Sequence, residues 1–257
     1  MQVVFYVIVF IIGACLGSFL CCQARRLRLK ETKKPSLGRR SVCLHCKTKL
    51  KWYENLPIIS WLIQKGKCRH CHKKIGVAEI LAELATGITA VAIFASSGHW
   101  QTFVFALTIL LSLALIFLAI YDGLYGELPT FVLIIAGVIA TALVITKLIT
   151  VNFTLQPILD IVAAVAVLGG LYLILYLVSR GKWVGDGDWI LGSIIAAALG
   201  TPWLALIALF VANFSACLIT LPTLKSRKSH KIYFGPFLVF AYIFTLVLTN
   251  YGIINLW

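Results

Sequence analysis

Acidic residues are scarce in this sequence: Asp and Glu account for 9 of its 257 residues, against 23 Lys and Arg. Charged residues of both signs together make up only 12% of the chain, whereas hydrophobic residues make up 61%, with a mean hydropathy of +0.97. Soluble globular domains carry about 25% charged residues. The composition therefore excludes an ordinary soluble domain and predicts an all-α protein that crosses a membrane several times.

Charge is also missing from the first apolar run. No charged side chain occurs from Met1 to Cys22, although small residues between Gly13 and Ser18 resemble those at a signal-peptide cleavage site. A secretory signal peptide begins with a basic segment, whereas here the basic residues follow the apolar run. We therefore expect 1–22 to be a retained transmembrane helix with its amino terminus outside.

Apolar runs recur along the rest of the chain. A hydrocarbon core about 30 Å thick needs about 20 helical residues, and the runs that approach this length are 3–22, 77–97, 102–121, 131–149, 156–178, 203–221 and 235–254. A shorter run, 190–199, stops before Pro202, which interrupts helical hydrogen bonding. About eight transmembrane helices are predicted.

Most basic residues lie in one loop. Of the 23 Lys and Arg residues, 16 lie between Gln23 and Gly76, so the positive-inside rule places this loop in the cytoplasm. With eight alternating helices, Asp122 and Asp188 fall at the same face. Only Lys147 lies near an outer loop, and the other basic residues fall in cytoplasmic loops: Arg180, Lys182, Lys225, Arg227, Lys228 and Lys231. Topology thus explains the net charge of +14, and no nucleic-acid partner is expected.

Two Cys-x-x-Cys pairs lie in this loop, Cys43 with Cys46 and Cys68 with Cys71, with 21 residues between them. This spacing suits tetrahedral Zn²⁺ bound by four thiolates, and a reducing cytosol disfavours disulfides. We predict a structural zinc site, with a redox or catalytic role as the alternative. Three histidines beside the cysteines are interpreted as surface residues, although one could replace a thiolate: His45, His70 and His72.

Two aspartates occur at the ends of apolar runs, Asp122 before Gly123 and Asp188 at the end of Gly-Asp-Gly-Asp, 185–188. A carboxylate costs about 2.5 to 3.5 kcal/mol at the centre of a membrane helix on insertion scales, so a pair on one face suggests chemistry. Two close carboxylates tend to share a proton, and they can act as general base and general acid towards water and a peptide bond. The alternative is structural: a helix end at Asp122 and a helix cap at Asp188.

An ordered set of motifs extends over nearly the whole chain. It comprises Gly13 to Leu20, the two cysteine pairs with Trp52 to Trp61 between them, Gly185 to Asp188, and Phe234-Gly235-Pro236-Phe237. In this order the motifs resemble those of bacterial prepilin peptidases, the type IV leader peptidase family of aspartic membrane proteases.

The resemblance implies roles for particular residues. In the family pattern the first catalytic aspartate precedes a proline by seven residues, as Asp122 precedes Pro129, and the second closes Gly-x-Gly-Asp. Asp122 and Asp188 are therefore the expected catalytic pair, with Asp186 at the variable position. Gly185 and Gly187 are expected to let the backbone turn and approach a substrate strand closely.

The resemblance also implies substrates and cofactors. We expect a multi-pass protein of the inner membrane that cleaves the basic leader from type IV prepilins or pseudopilins at the cytoplasmic face. The four-cysteine loop, found in bifunctional members, implies N-methylation of the new amino terminus with S-adenosylmethionine, although no glycine-rich methyltransferase motif places that cofactor. The expected domains are a first helix, 1–22, a zinc-binding loop, 23–76, and a peptidase domain, 77–257.

Several positions depart from the family pattern. Ile190 stands where the family commonly has Lys, which removes a possible positive neighbour of Asp188. Cys21 and Thr130 also differ from the residues common in the family.

Glu79 and Glu83 share a helical face. Packing, polar pairing and substrate orientation are the roles considered for Glu83.

Three other functional classes would leave different features in the sequence. A proton-coupled transporter would show related halves, and a zinc-ribbon membrane scaffold would need no acids. A presenilin-like protease would lack the four-cysteine loop.

Overall fold

The computed structural model describes residues 2–31, 41–43, 45–95, 102–150, 152, 154–220 and 233–250. Most of these residues are helical, and within these ranges extended pairing is limited to two isolated bridges. They divide into two compact units, 1–95 and 96–257.

The first unit is built on two long helices. α1 covers Gln2–Glu31 and α3 covers Val77–Ala95, and between them lie a 3₁₀ turn, Trp52–Asn55, and the short α2, Ile59–Ile63. α1 and α3 approach closely because small residues face each other: a Cβ added at Gly17 would lie 2.7 Å from the carbonyl oxygen of Ala82. Small residues at such positions let helix backbones meet in a membrane.

The predicted end of the first helix at Cys22 is wrong, since α1 continues to Glu31. The extension is held by tertiary contacts that a count of charges does not detect. Ala24 is fully buried, and Arg25 forms an ion pair with Glu79 of α3. From the sequence, the basic residues after the apolar run were interpreted as the start of a loop. In the structure they continue α1.

The second unit contains the remaining helices: α4 (Thr102–Tyr125), α5 (Thr130–Thr150), α6 (Leu155–Val165), α7 (Leu171–Ser179), α8 (Asp188–Leu199), α9 (Pro202–Thr220) and α10 (Gly235–Asn250). A π turn, Ala166–Gly170, joins α6 to α7 in one continuous helix. Gly169 of this turn lies against α8, where an added Cβ would be 3.1 Å from the Cα of Ser193.

α8 is the central helix of this unit. It contacts α5, α6, α7, α9, α10 and the π turn, and eight of its 12 residues are buried. A helix of 12 residues is about 18 Å long, so α8 is too short to cross a hydrocarbon core of about 30 Å. α8 therefore depends on packing against the neighbouring helices of this unit, and Asp188 is its first residue.

The predicted fold class is confirmed. Six helices in the described ranges are long and apolar enough to cross a membrane, and α8 and α10 are shorter apolar helices. Together they give the eight predicted apolar helices, and the protein is an all-α multi-pass membrane protein. The predicted span ends at 96–97 and 251–254, and the basic residues Lys225, Arg227, Lys228 and Lys231, lie outside the described residues.

Candidate functional site

The two predicted catalytic aspartates meet in the second unit. Asp122 lies near the end of α4, with 5% of its surface exposed, and Asp188 is the first residue of α8, with 7% exposed. Their carboxylates are close enough to interact electrostatically. Asp186, the other acid of the same motif, is exposed. Asp122 and Asp188 are thus both buried, whereas Asp186 is not.

A backbone N–H holds each carboxylate. The N–H of Gly235 donates to Oδ2 of Asp122 at 2.8 Å, and the N–H of Gly185 donates to Oδ2 of Asp188 at 2.9 Å. Gly235 is also the first residue of α10, so its N–H is one of the free donors at a helix amino terminus, where negative charge is favoured. Each hydrogen bond uses one oxygen of its carboxylate.

A side chain would crowd the carboxylates where these donors approach. A Cβ added at Gly235 would lie 2.7 Å from Oδ2 of Asp122, and one added at Gly185 would lie 3.2 Å from Oδ2 of Asp188. A Cβ at Gly187 would lie 2.7 Å from Cδ1 of Leu128, in the connection after α4. These close approaches are to atoms of the protein itself, whereas the sequence led us to expect an approach to substrate.

The hydrogen bond that Asp188 accepts differs from the one expected if this residue were only a helix cap. Gly187 occupies the N-cap position of α8, and the hydrogen bond of Asp188 comes from Gly185, which precedes the helix. A capping side chain would instead accept from an N–H of the first helical turn. The described hydrogen bond of Asp188 thus orders the Gly-x-Gly-Asp turn around its own carboxylate.

Tyr172 of α7 packs against α8, which the sequence did not indicate. It is 2% exposed, its ring lies 5.3 Å from that of Phe234, and a Cβ added at Gly192 of α8 would lie 3.4 Å from its Cδ2. Asn213 donates a hydrogen bond to its hydroxyl oxygen at 3.2 Å. A tyrosine inside an apolar run carries no local signal that it packs at this position.

Gly235 was part of a recognised motif, but its role as a hydrogen-bond donor to Asp122 depends on a contact between residues distant in sequence.

Two of the departures from the family pattern lie near the aspartates in sequence. Ile190 of α8 is half-buried, and Thr130 at the start of α5 is exposed. The third, Cys21, is buried in α1, in the first unit.

The first unit brings all four predicted metal ligands together. One sulfur atom from each of Cys43, Cys46, Cys68 and Cys71 lies within 4.8 Å of the others, an arrangement that could hold a metal ion. The histidines His45, His70 and His72 are exposed and do not belong to the cluster, as predicted.

The two cysteine turns have the same backbone design. In the first turn the N–H of Cys43 donates to the carbonyl of Thr48, and in the second the N–H of Cys68 donates to that of Lys73. The residue four after the first cysteine of each pair has a positive φ, 59° at Lys47 and 55° at His72. Isolated bridges close both turns. Both pairs are thus presented by equivalent tight turns.

Local hydrogen bonds lower the pKa of one thiol in each cysteine pair, Cys46 and Cys68. Hydrogen bonds from the side chain and backbone of Thr48 lower the pKa of the Cys46 thiol to about 6. Backbone hydrogen bonding from Cys71 lowers the pKa of Cys68. Thiolate is the form that binds metals, and several thiolates this close together repel one another unless a cation lies between them.

Two glutamates of α3 face α1 and the α2 region. Glu79 pairs with Arg25, and Glu83 accepts a hydrogen bond of 2.7 Å from the N–H of Ile58. Ile58 has a φ of 61°, which bulky residues rarely adopt. Polar pairing, one of the roles considered for Glu83, is therefore observed.

A family model and several curated proteins match parts of this chain. The family model described as "Bacterial Peptidase A24 N-terminal domain" matches residues 11–97, which include the cysteine cluster. No solved structure matches the chain.

Three curated relatives share longer or shorter stretches. A type 4 prepilin-like proteins leader peptide-processing enzyme of Escherichia coli is 30% identical over 211 residues, 81% of this chain and 76% of the relative. The prepilin leader peptidase/N-methyltransferase of Vibrio cholerae is 35% identical over 105 residues, 39% of this chain and 42% of the relative. That of Myxococcus xanthus is 38% identical over 125 residues, 49% of this chain and 36% of the relative. The matches to the last two relatives thus span less than half of their length.

Proposed function

Because the chain belongs to the bacterial prepilin peptidase family, we propose that it is an aspartic membrane endopeptidase that removes the leader from type IV prepilins or pseudopilins. The observation that carries the proposal is the meeting of Asp122 and Asp188, two buried carboxylates that interact with each other and are each held by a glycine N–H. An exposed acid two residues away, Asp186, does not share this environment.

The proposed mechanism uses the two carboxylates in opposite protonation states. The ionised one accepts a proton from water as the water oxygen attacks the scissile carbonyl carbon, and the protonated one donates to the carbonyl oxygen. Proton transfer to the leaving amine then completes cleavage. The N–H groups of Gly235 and Gly185 fix one oxygen of each carboxylate, which keeps the pair oriented during both transfers.

The membrane setting favours a substrate with a hydrophobic helix. We propose that the basic leader stays in the cytoplasm, that the apolar segment of the prepilin enters the bilayer beside residues 77–257, and that cleavage occurs at the cytoplasmic face of the inner membrane. The Lys- and Arg-rich segment 23–76 supports this orientation through the positive-inside rule. This segment carries too much positive charge to attract a basic leader by electrostatics.

We further propose that the four-cysteine cluster binds structural Zn²⁺. Four sulfur ligands within 4.8 Å suit a closed tetrahedral site. Bound there, Zn²⁺ would neutralise the thiolates of Cys43, Cys46, Cys68 and Cys71 and fix the two turns. Closed four-cysteine sites stabilise folding and leave no open position for substrate.

A second activity, N-methylation of the new amino terminus, is proposed from the names of the relatives in Vibrio cholerae and Myxococcus xanthus. S-Adenosylmethionine would supply the methyl group. The family model that matches residues 11–97 covers most of the first unit, and this unit is where we place the second activity.

Purified full-length protein in lipid nanodiscs, incubated with a purified prepilin, tests the peptidase. We expect Asp122→Asn and Asp188→Asn each to lower the cleavage rate about a hundredfold or more, because each removes a proton donor or acceptor. Asp186→Asn is the matched control and should cleave at nearly the normal rate. Full processing by either dyad variant would contradict the mechanism, and cleavage is followed by the mass of the pilin.

A further inference from the structure

The short helix α2 exposes large apolar side chains on one face. Ile59, Leu62 and Ile63 are 55%, 58% and 66% exposed, and their spacing of three and four positions places them on the same side of a helix. Leu56, just before α2, is also exposed. We call these four residues the α2 face. Single exposed apolar residues are common on soluble proteins, whereas a group of them on one face indicates contact with a partner or a membrane.

The other side of α2 packs within the first unit. Ser60 and Trp61 line a cavity to which residues of α1 and α3 also contribute. The ring of Trp61 lies so close to the following turn that a Cβ added at Gly66 would be 2.9 Å from it. α2 therefore turns Ser60 and Trp61 towards the rest of the unit and the α2 face away from it.

A hydrogen bond fixes the depth of α2 along α3. The N–H of Ile58, the residue before α2, donates to Oε2 of Glu83 at 2.7 Å. Charged side chains begin on α1 at Arg25, which pairs with Glu79 of α3. Glu83 is four residues further into α3 than Glu79, a distance of about 6 Å. α2 thus begins about one turn inside a helix that is long and apolar enough to cross a membrane.

We infer that the α2 face binds anionic phospholipid, on the side of the membrane where α1 ends and α3 begins. An interfacial helix lies in the membrane plane, with its apolar face buried about 5 to 10 Å into the boundary between headgroups and acyl chains. The offset of about 6 Å between the Arg25–Glu79 pair and Glu83 falls in this range. This lipid contact goes beyond the proposed peptidase and does not depend on it.

Lysines border the α2 face at both ends. Lys51 precedes it, Lys65 and Lys67 follow it, and all three are exposed. No Asp or Glu occurs from 55 to 78 in the sequence. Lysines close to a membrane surface attract anionic headgroups, and the exposed Trp52 is of the residue type enriched at membrane interfaces. Charge complementarity favours anionic lipid over a second copy of this chain, whose net charge is +14.

Photolabelling of the full chain in nanodiscs tests the inference. The probe is phosphatidylglycerol with a photoreactive diazirine in its acyl chain, diluted in phosphatidylcholine, and peptide mapping locates the label. We expect label on 52–69 as well as on α5, which serves as the reference because several of its apolar side chains are exposed.

Removal of apolar surface from the α2 face should weaken this labelling. Leu62→Gln together with Ile63→Gln should lower the label on 52–69 about tenfold relative to α5, because interfacial binding scales with buried apolar area. Leu177→Gln together with Val178→Gln is the matched control. It makes the same change at two exposed apolar positions of α7, in the second unit, and should leave the label on 52–69 unchanged.

Lipid preference gives a second readout. With the diazirine on phosphatidylglycerol, 52–69 should be labelled about threefold or more above the level obtained with the diazirine on phosphatidylcholine. Lys65→Gln together with Lys67→Gln should abolish this preference. Arg180→Gln together with Lys182→Gln, which removes two exposed charges from the second unit, should keep it.

Three results would overturn the inference. They are an unlabelled 52–69 in unaltered protein whose α5 is labelled, equal labelling of 52–69 by the two lipids, and full labelling of the Leu62→Gln, Ile63→Gln variant. The first result would mean that another part of the protein covers the α2 face. The unaltered protein supplies the first two readouts, so misfolding of a variant does not hide a failure. No prepilin is present, so the outcome leaves the peptidase proposal untouched.

Discussion

The backbone N–H of Gly235 donates a hydrogen bond of 2.8 Å to Asp122, across 113 positions of sequence. This contact ties the first residue of α10 to the end of α4. It means that the position of one proposed catalytic carboxylate depends on where another helix begins. The same contact leaves no room for a side chain at residue 235.

Gly235→Ala is the sharpest test of that contact. An added Cβ would lie 2.7 Å from Oδ2 of Asp122, so either the carboxylate or the start of α10 must move. Overpacking of this kind costs about 1 to 3 kcal/mol, and we expect kcat/KM for prepilin cleavage to fall about ten- to a hundredfold. Gly123→Ala is the matched control, because its added Cβ would meet only Pro236, at 3.6 Å. Equal activity of the two variants would contradict the proposed role of Gly235.

The pH dependence of cleavage should be bell-shaped. At low pH both carboxyl groups are protonated and no base is available, whereas at high pH both are ionised and no acid is available. The pair then titrates with two macroscopic pKa values that belong to both residues. A profile of kcat/KM against pH checks this, and a single sigmoidal rise would argue against proton sharing. Asp186→Asn should keep the bell shape.

Removal of one cysteine pair should release the metal. Cys43→Ser together with Cys46→Ser leaves two thiolates, too few for a closed tetrahedral site, and we expect bound zinc to fall from about one ion per chain to near zero. Atomic spectroscopy of purified protein measures the metal. His45→Gln, which alters an exposed neighbour of the same turn, should keep its zinc. Unchanged zinc in the double variant would refute the site.

The packing of α1 on α3 depends on Gly17. A Cβ at this position would approach the Thr86 hydroxyl and lie 2.7 Å from the carbonyl oxygen of Ala82. We expect Gly17→Ala to lower the free energy of unfolding of the first unit by about 1 to 3 kcal/mol. Leu16→Ala, at a neighbouring exposed position, should change it less. Denaturation of the purified chain in detergent, followed by helix content, gives both values.

The second proposed activity has its own readout. A pilin processed in the presence of S-adenosylmethionine should carry one added methyl group on its new amino terminus, and a pilin processed without it should carry none. Mass spectrometry of the amino-terminal peptide distinguishes the two. An unmodified amine at saturating methyl donor would reject N-methylation while leaving cleavage intact.

Sequence predicted the features that depend on local pattern. The apolar helices follow from hydropathy, and the metal cluster follows from the spacing of Cys43, Cys46, Cys68 and Cys71, because each pair needs only one tight turn. Features that depend on contacts distant in sequence were not predicted. Nothing near Tyr172 indicates that it packs against α8 at Gly192, and the donor to Asp122 belongs to a helix that begins 113 positions later.

The end of α1 shows a second limit. Arg25 follows an apolar run and so resembles the start of a loop, yet its partner Glu79 lies in α3 and lets the helix continue. Charge near a membrane boundary predicts topology well, but it does not determine where a helix ends. The end of α1 depends on contacts with α3, such as the ion pair between Arg25 and Glu79.

The short length of α8 also affects the depth at which a substrate would meet Asp188. Because α8 is 12 residues long and packs against α5, α9, α10 and the continuous helix from α6 to α7, the depth of Asp188 is set by protein packing. A substrate helix anchored in the bilayer would therefore present its peptide bonds to Asp188 at one fixed height. The position of the cut would then be measured from the substrate's apolar segment, whatever the length of the leader before it.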